Sequence, residues 1–118
     1  MVIISKDALR KIKTIGGSEL VEKMIDVFVH GAKEKIQSLE NRSAWQEESF
    51  FEEAESIGHT LKSSAAYLGL TQLQKIADRV EQMAIEKNKL QLDGELDLLR
   101  DELIASLSSL IELRKGSI

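Results

Sequence analysis

The chain has no cysteine, which removes disulfides, thiol nucleophiles and thiolate metal sites from consideration. It has only two histidines, His30 and His59, so an all-nitrogen zinc site would need a second chain or carboxylate help. No apolar run exceeds a few residues, which excludes a membrane span. No basic excess exists either: 20 acidic side chains outnumber 16 basic ones, for a net charge of -4, and a nucleic-acid binder would normally gather positive charge on one face. At the start, MVIISKDALRKIK puts its short apolar stretch ahead of its basic residues, the reverse of a secretory leader, so a cytoplasmic protein is expected. Proline is absent and aromatics make up only 4%. What remains is dominated by Leu, Ile, Ala, Glu and Lys, all helix formers or helix-compatible, and an all-α fold follows.

Glycines punctuate a series of helical patterns. Ser5 is placed to cap a short first helix over 6–14, stopped by Gly16-Gly17. Ser18 then caps a long helix over 19–41, with apolar residues at Val21, Met24, Ile25, Phe28, Ala32, Ile36 and Leu39, the rhythm of an amphipathic helix. Ser43 and Gln46 fit a capping box that opens a third helix running to Leu68, with Gly69 suited to a left-handed end. Thr71 and Gln74 form a second such box, opening a helix along Leu73, Ile76, Ala77, Val80, Met83 and Ala84. Asp93 can cap a last helix over 94–115. Four long amphipathic helices with short connections predict an antiparallel up-down-up-down four-helix bundle, with the short extra N-terminal helix across one end. The whole chain, 1–118, reads as one domain.

The third helix is the informative one. Its stripe of Phe50, Ala54, Ile57, Leu61, Ala65 and Leu68 clusters on one side at about 100° per residue, and His59 falls opposite, among Glu52, Glu55, Ser56, Lys62, Ser63 and Ala66. His30 also falls opposite the core stripe of its own helix and also has a lysine three residues on, so periodicity does not choose between the two histidines. Their flanks do. Five of the seven residues after His59 are Thr, Ser or Ala, which keeps the surface low beside the imidazole. His30 is followed by Gly31 and Ala32 and then by the long chains of Lys33, Glu34 and Lys35, an ordinary solvated face.

The stretch 59–69, HTLKSSAAYLG, resembles the phosphorylation motif of histidine-containing phosphotransfer (HPt) domains, His-x-Leu-Lys-Gly-Ser-(Ser/Ala) with a further glycine ten residues after the histidine. His59, Leu61, Lys62, Ser64, Ala65 and Gly69 match in place. Two positions depart: Ser63 replaces the usual glycine, and Gly58 stands where alanine is commoner, which would soften the helix ahead of the site. The proline of a histidine kinase's phosphorylation box is missing, as is any nucleotide-binding glycine loop.

The resemblance implies a phosphocarrier rather than an autonomous kinase, with no cofactor of its own. His59 would exchange a phosphoryl group with the aspartate of response-regulator receiver domains, fed by a hybrid or sensor histidine kinase. A solvated imidazole is in good part neutral at physiological pH, the nucleophilic form, and the outer nitrogen, Nε2, is the expected attacking atom. Lys62, one turn on, would offset phosphoryl charge, or else pair with a carboxylate such as Glu55. Ser63 would donate a hydrogen bond or act as a small spacer. Glu55, Ser64, Ala66 and Gly69 complete the expected binding face, and Glu52 and Glu55 would hold the ring or simply be solvated. Two other readings stand beside this one: a phosphorylation-independent module that docks a receiver, and a carboxylate-bridged metal bundle using Glu55 and His59, for which the second inward-facing Glu-x-x-His copy is missing.

Overall fold

A glycine divides the first helix. Helix α1, Lys6–Glu40, bends where Gly17 adopts φ 72° and ψ -171°, a backbone state that costs glycine nothing and other residues a good deal. Its first arm is the short helix expected from the sequence, capped by Ser5, whose hydroxyl accepts from Ala8 N–H. The computed structural model describes residues 2–116, and within them α2 spans Phe50–Leu68, α3 Thr71–Ile85 and α4 Lys89–Lys115. Consecutive helices pack against each other, and α4 closes on α1, giving the four-helix bundle in a body of 44 × 23 × 22 Å.

One contiguous core runs through all four helices. Every residue of the α2 stripe is buried, as are Val21, Ile25, Phe28, Ala32 and Leu39 of α1 and Leu73, Ile76, Ala77, Val80 and Ala84 of α3; Leu92, Leu96, Leu99, Leu103 and Leu110 complete the core from α4. Among the described residues no helix is long and apolar enough to cross a membrane.

Three helix starts differ from the sequence pattern. Ser43 and Gln46 do not form a capping box. They lie in a link of two single 3₁₀ turns, Arg42–Ala44 and Glu47–Ser49, and α2 begins only at Phe50. Tertiary contacts hold this link. Arg42 donates to Asp97 at 2.7 Å and to the Leu39 carbonyl, while the Trp45 indole donates to Ser38 and stacks beside Phe50. Thr71 is the first residue of α3 rather than its cap; the preceding position belongs to Leu70, buried in the core. Helix α4 starts four residues before the expected cap at Asp93, because Asn88 accepts from Gln91 N–H and ends the α3–α4 link sooner.

The α2–α3 turn is the tightest in the fold. Gly69 is left-handed at φ 71°, as expected, and a Cβ there would lie within 3 Å of Ser5 and Ala8. Ser5 N–H donates to the Gly69 carbonyl at 2.8 Å, and an isolated β-bridge joins Ile4 to Leu70. The N-terminal segment thus pins the end of the helix that carries His59.

Candidate functional site

Where Gly58 faces α3, α2 has no side chain. Gly58 is buried, and a Cβ placed on it would lie 2.9 Å from the Ala77 carbonyl oxygen, 3.0 Å from the Glu81 nitrogen and 3.2 Å from Val80 Cγ1. Gly58 is therefore a point of close contact between α2 and α3. Its consequence falls on the next residue. His59 turns outward with 65% of its side chain exposed, and its Nδ1 lies 2.8 Å from Glu81 Oε2.

Glu81 is a carboxylate nearly withdrawn from water, with only 11% of its side chain exposed. Such a group is tolerated when paired and hydrogen-bonded, and Glu81 is paired twice. Lys62 Nζ donates to its Oε1 while His59 meets Oε2. Lys62 also reaches Asp78 Oδ1 at 3.4 Å. The hydrogen bond from Lys62 holds the Glu81 carboxyl below the ordinary glutamate range, with the His59 contact adding to the effect and burial opposing it. The same contact with Glu81 raises Lys62. An ionised carboxylate only accepts, so the ring nitrogen facing it bears the hydrogen. In the neutral ring this leaves the lone pair on Nε2.

Lys62 therefore has a carboxylate partner, but it comes from α3, not from Glu55. Neither Glu52 nor Glu55 pairs with His59 or Lys62 among the described residues. Ser63 and Ala66 are exposed on the same ridge as His59. Ser64 is half-buried and spends its hydroxyl on the Thr60 carbonyl at 3.0 Å. Gly69 is not brought to the ring; it is buried at the end of α2, about 15 Å along the helix axis. Beside the ridge, toward α1, a groove of about 320 Å³ is lined by Leu20, Met24, Phe28 and Leu68, with Val27 and Tyr67 at its exposed rim.

His30 has no comparable setting. It is exposed, and its nearest carboxylate, Glu34 on its own helix, is 3.6 Å away and equally exposed. A surface concavity of about 900 Å³, between the α1–α2 link and the start of α4, is lined by Arg42, Trp45, Phe50, Lys89, Asp93 and Asp97 among others. It holds none of the expected site residues, and Arg42 and Lys89 are already matched to Asp93 and Asp97. Among the described residues no group of three or more His, Asp or Glu side chains converges as a metal site would require.

Glu81 is a site residue to which the sequence reading gave no role. A signal was present. It sits four residues after Ala77 and three before Ala84, on the edge of the α3 core stripe, where a charged residue requires a partner.

A family model described as the Hpt domain matches residues 23–109. No curated protein matches the chain. Among solved structures, the chain is similar to histidine-containing phosphotransfer protein B (HptB) from Pseudomonas aeruginosa PAO1, with a TM-score of 0.80 at 14% sequence identity, over 96% of this chain and 95% of that one. At that identity the likeness is one of fold.

Proposed function

The chain belongs to the Hpt domain family, and from that membership we propose that it is a cytoplasmic phosphocarrier whose His59 exchanges a phosphoryl group with the aspartate of receiver domains. The observation that carries this reading is the setting of the ring: an exposed imidazole on a low ridge, gripped at Nδ1 by Glu81 so that Nε2 is the free nucleophile. In the transfer, the Nε2 lone pair attacks phosphorus as the bond to the aspartyl oxygen breaks. The electron pair of that bond stays on the partner's carboxylate.

Lys62 lies on the same face. Its ammonium, shared between Glu81 and Asp78, offsets negative charge as the phosphoryl group arrives. Ser63 supplies a hydrogen-bond donor one turn from the ring. Ala66 and Ser64 keep the ridge low, Glu55 borders it, and Gly69 closes its far end. Receiver domains and a hybrid or sensor kinase are the partners, and magnesium and nucleotide belong to them. The protein is then a phosphotransfer intermediate rather than a kinase.

The test is incubation with a receiver domain carrying labelled aspartyl phosphate. Acid-labile label is expected on the parent, none on His59→Gln, full label on His30→Gln, and slower labelling of Lys62→Ala. On an exposed position His59→Gln should change stability by no more than about 0.5 kcal/mol. Receiver binding without label on the parent would favour a docking module; label on His59→Gln equal to the parent would refute the carrier reading.

A further inference from the structure

We propose that the N-terminal arm, residues 2–16, is a hinged strap that swings as a unit about Gly17, and that its closed position completes the surface a partner meets beside His59. The inference rests on the phosphocarrier reading for its partner and extends it to control of docking. At one end of the arm is a hinge. Gly17 holds φ 72° and ψ -171°, a backbone state confined almost entirely to glycine. A Cβ there would meet nothing within 4 Å, so no packing locks the bend and backbone preference alone decides it. Glycine reaches helical dihedrals as well. With them α1 would run straight on and carry the arm off the end of the bundle.

At the other end is a latch. Ser5 N–H donates to the Gly69 carbonyl at 2.8 Å, and Ile4 bridges to Leu70. Ile12 is the arm's one buried side chain among the described residues, with Ile4 and Leu9 partly buried against the core. The arm's side-chain hydrogen bonds stay within it, from Arg10 to Asp7 and from Thr14 to the Arg10 carbonyl. The rest of α1 is held more firmly. It buries Val21, Ile25, Phe28, Ala32 and Leu39, and Arg114 of α4 pairs with its Glu22 and Asp26. A segment with so few buried contacts opens below the free energy of global unfolding.

Two contacts carry the arm's position toward the site. The arm closes directly on Gly69, which ends the helix of His59; a Cβ on Gly69 would lie 2.8 Å from Ser5 and 2.9 Å from Ala8. Gly16 lies so close to Leu20 that a Cβ on it would be 2.6 Å from Leu20 Cδ2, and Leu20 lines the groove beside the ridge with Tyr67 and Leu68. With the arm away, Leu20 loses the backbone it rests on and the α2–α3 turn loses its cover. The imidazole, about 15 Å along the helix from Gly69, keeps its own surroundings. Opening therefore weakens docking and leaves the chemistry of the ring alone.

The experiment compares the full chain with Gly17→Ala, which disfavours the bend, and Ile12→Ala, which weakens the anchor without touching the hinge. Gly31→Ala is the control, a glycine of the same helix whose Cβ would meet only Lys35 Nζ, at 3.7 Å. Because the chain has no cysteine, Lys6→Cys and Gln72→Cys can carry a pair of spin labels in each form. Lys6 stands on a lever about 16 Å from Gly17, so opening should lengthen the label separation by about 10 Å or more. The long separation should dominate in Gly17→Ala and Ile12→Ala. In the parent it should appear at urea concentrations below the unfolding midpoint of the bundle. If the closed fraction falls to about a tenth, the receiver concentration giving half-maximal transfer should rise about tenfold. The maximal rate should hold, as should labelling by phosphoramidate, a small donor that needs no docking. Gly31→Ala should match the parent throughout. Label separations unchanged in Gly17→Ala, a parent arm that opens only with the whole bundle, an open arm with unaltered receiver dependence, or an equal loss of phosphoramidate labelling would each overturn the proposal. Failure of the carrier reading looks different: the parent would take no phosphate from a receiver, while its label separations remained readable.

Discussion

Gly58→Ala puts two expectations in opposition. In an isolated helix the change should stabilise by about 1 kcal/mol, since glycine is the poorer helix former. In this bundle the new methyl meets Ala77 O at 2.9 Å, Glu81 N at 3.0 Å and Val80 Cγ1 at 3.2 Å. The first two are backbone atoms of α3 and cannot rotate away, so the helices must separate by a few tenths of an ångström. Overpacking of this kind costs about 1–3 kcal/mol. Subtracting the propensity gain leaves a net loss of about 1 kcal/mol, within a range of roughly 0–2. The same displacement lengthens the His59–Glu81 contact from 2.8 Å, so phosphoryl transfer should slow although neither residue has changed. Urea unfolding with an unchanged slope measures the first effect, and labelling from a phosphorylated receiver measures the second. A variant about 1 kcal/mol more stable than the parent, with transfer unaltered, would refute this account of the α2–α3 contact.

Ala66→Arg sets a long charged chain on the ridge two turns from the ring; receiver binding, followed by calorimetry, should weaken while the melting curve stays within error of the parent. Ser106 is fully buried in α4 with no hydrogen-bond partner for its hydroxyl among the described residues, so Ser106→Ala should raise stability by about 1 kcal/mol, and a loss on urea unfolding would show that the hydroxyl is satisfied. Because Glu81 is held below the ordinary carboxylate range by Lys62 first and His59 second, its contribution to stability is present above that range and drains as pH falls through the depressed folded value. Urea midpoints taken below about pH 4 should therefore fall more steeply for the parent than for Glu81→Gln, and parallel curves would contradict the pairing.

The bundle was legible because its helices follow one period. All six apolar positions assigned to the α2 core are buried, and His59, placed opposite them, is exposed. The helix starts were less legible. A capping box is a local pattern, and at Ser43 and Thr71 long-range contacts decide instead: Arg42 with Asp97 in one case, the buried Leu70 in the other. Half of the site was visible on α2, where His59 and Lys62 lie one turn apart. The other half lies 22 residues downstream on α3. Joining the two requires the helix register across Gly69 and the close approach at Gly58, neither of which a periodicity within one helix contains.

The connection of α2 to α3 through Gly69 and Leu70 makes this chain unequally tolerant of changes in length. His59 and Lys62 lie on one side of that turn, Asp78 and Glu81 on the other. One residue inserted there would rotate α3 by about 100° and present Val80, a hydrocarbon, where the ring now finds a carboxylate. Residues 41–49 and 86–88 form no hydrogen bond or ion pair with His59, and loops added there would leave the imidazole and its acceptor in register. Epitope tags, fluorophores and linkers to other domains belong in those two links, and insertions at 69–70 would separate the folded bundle from its chemistry.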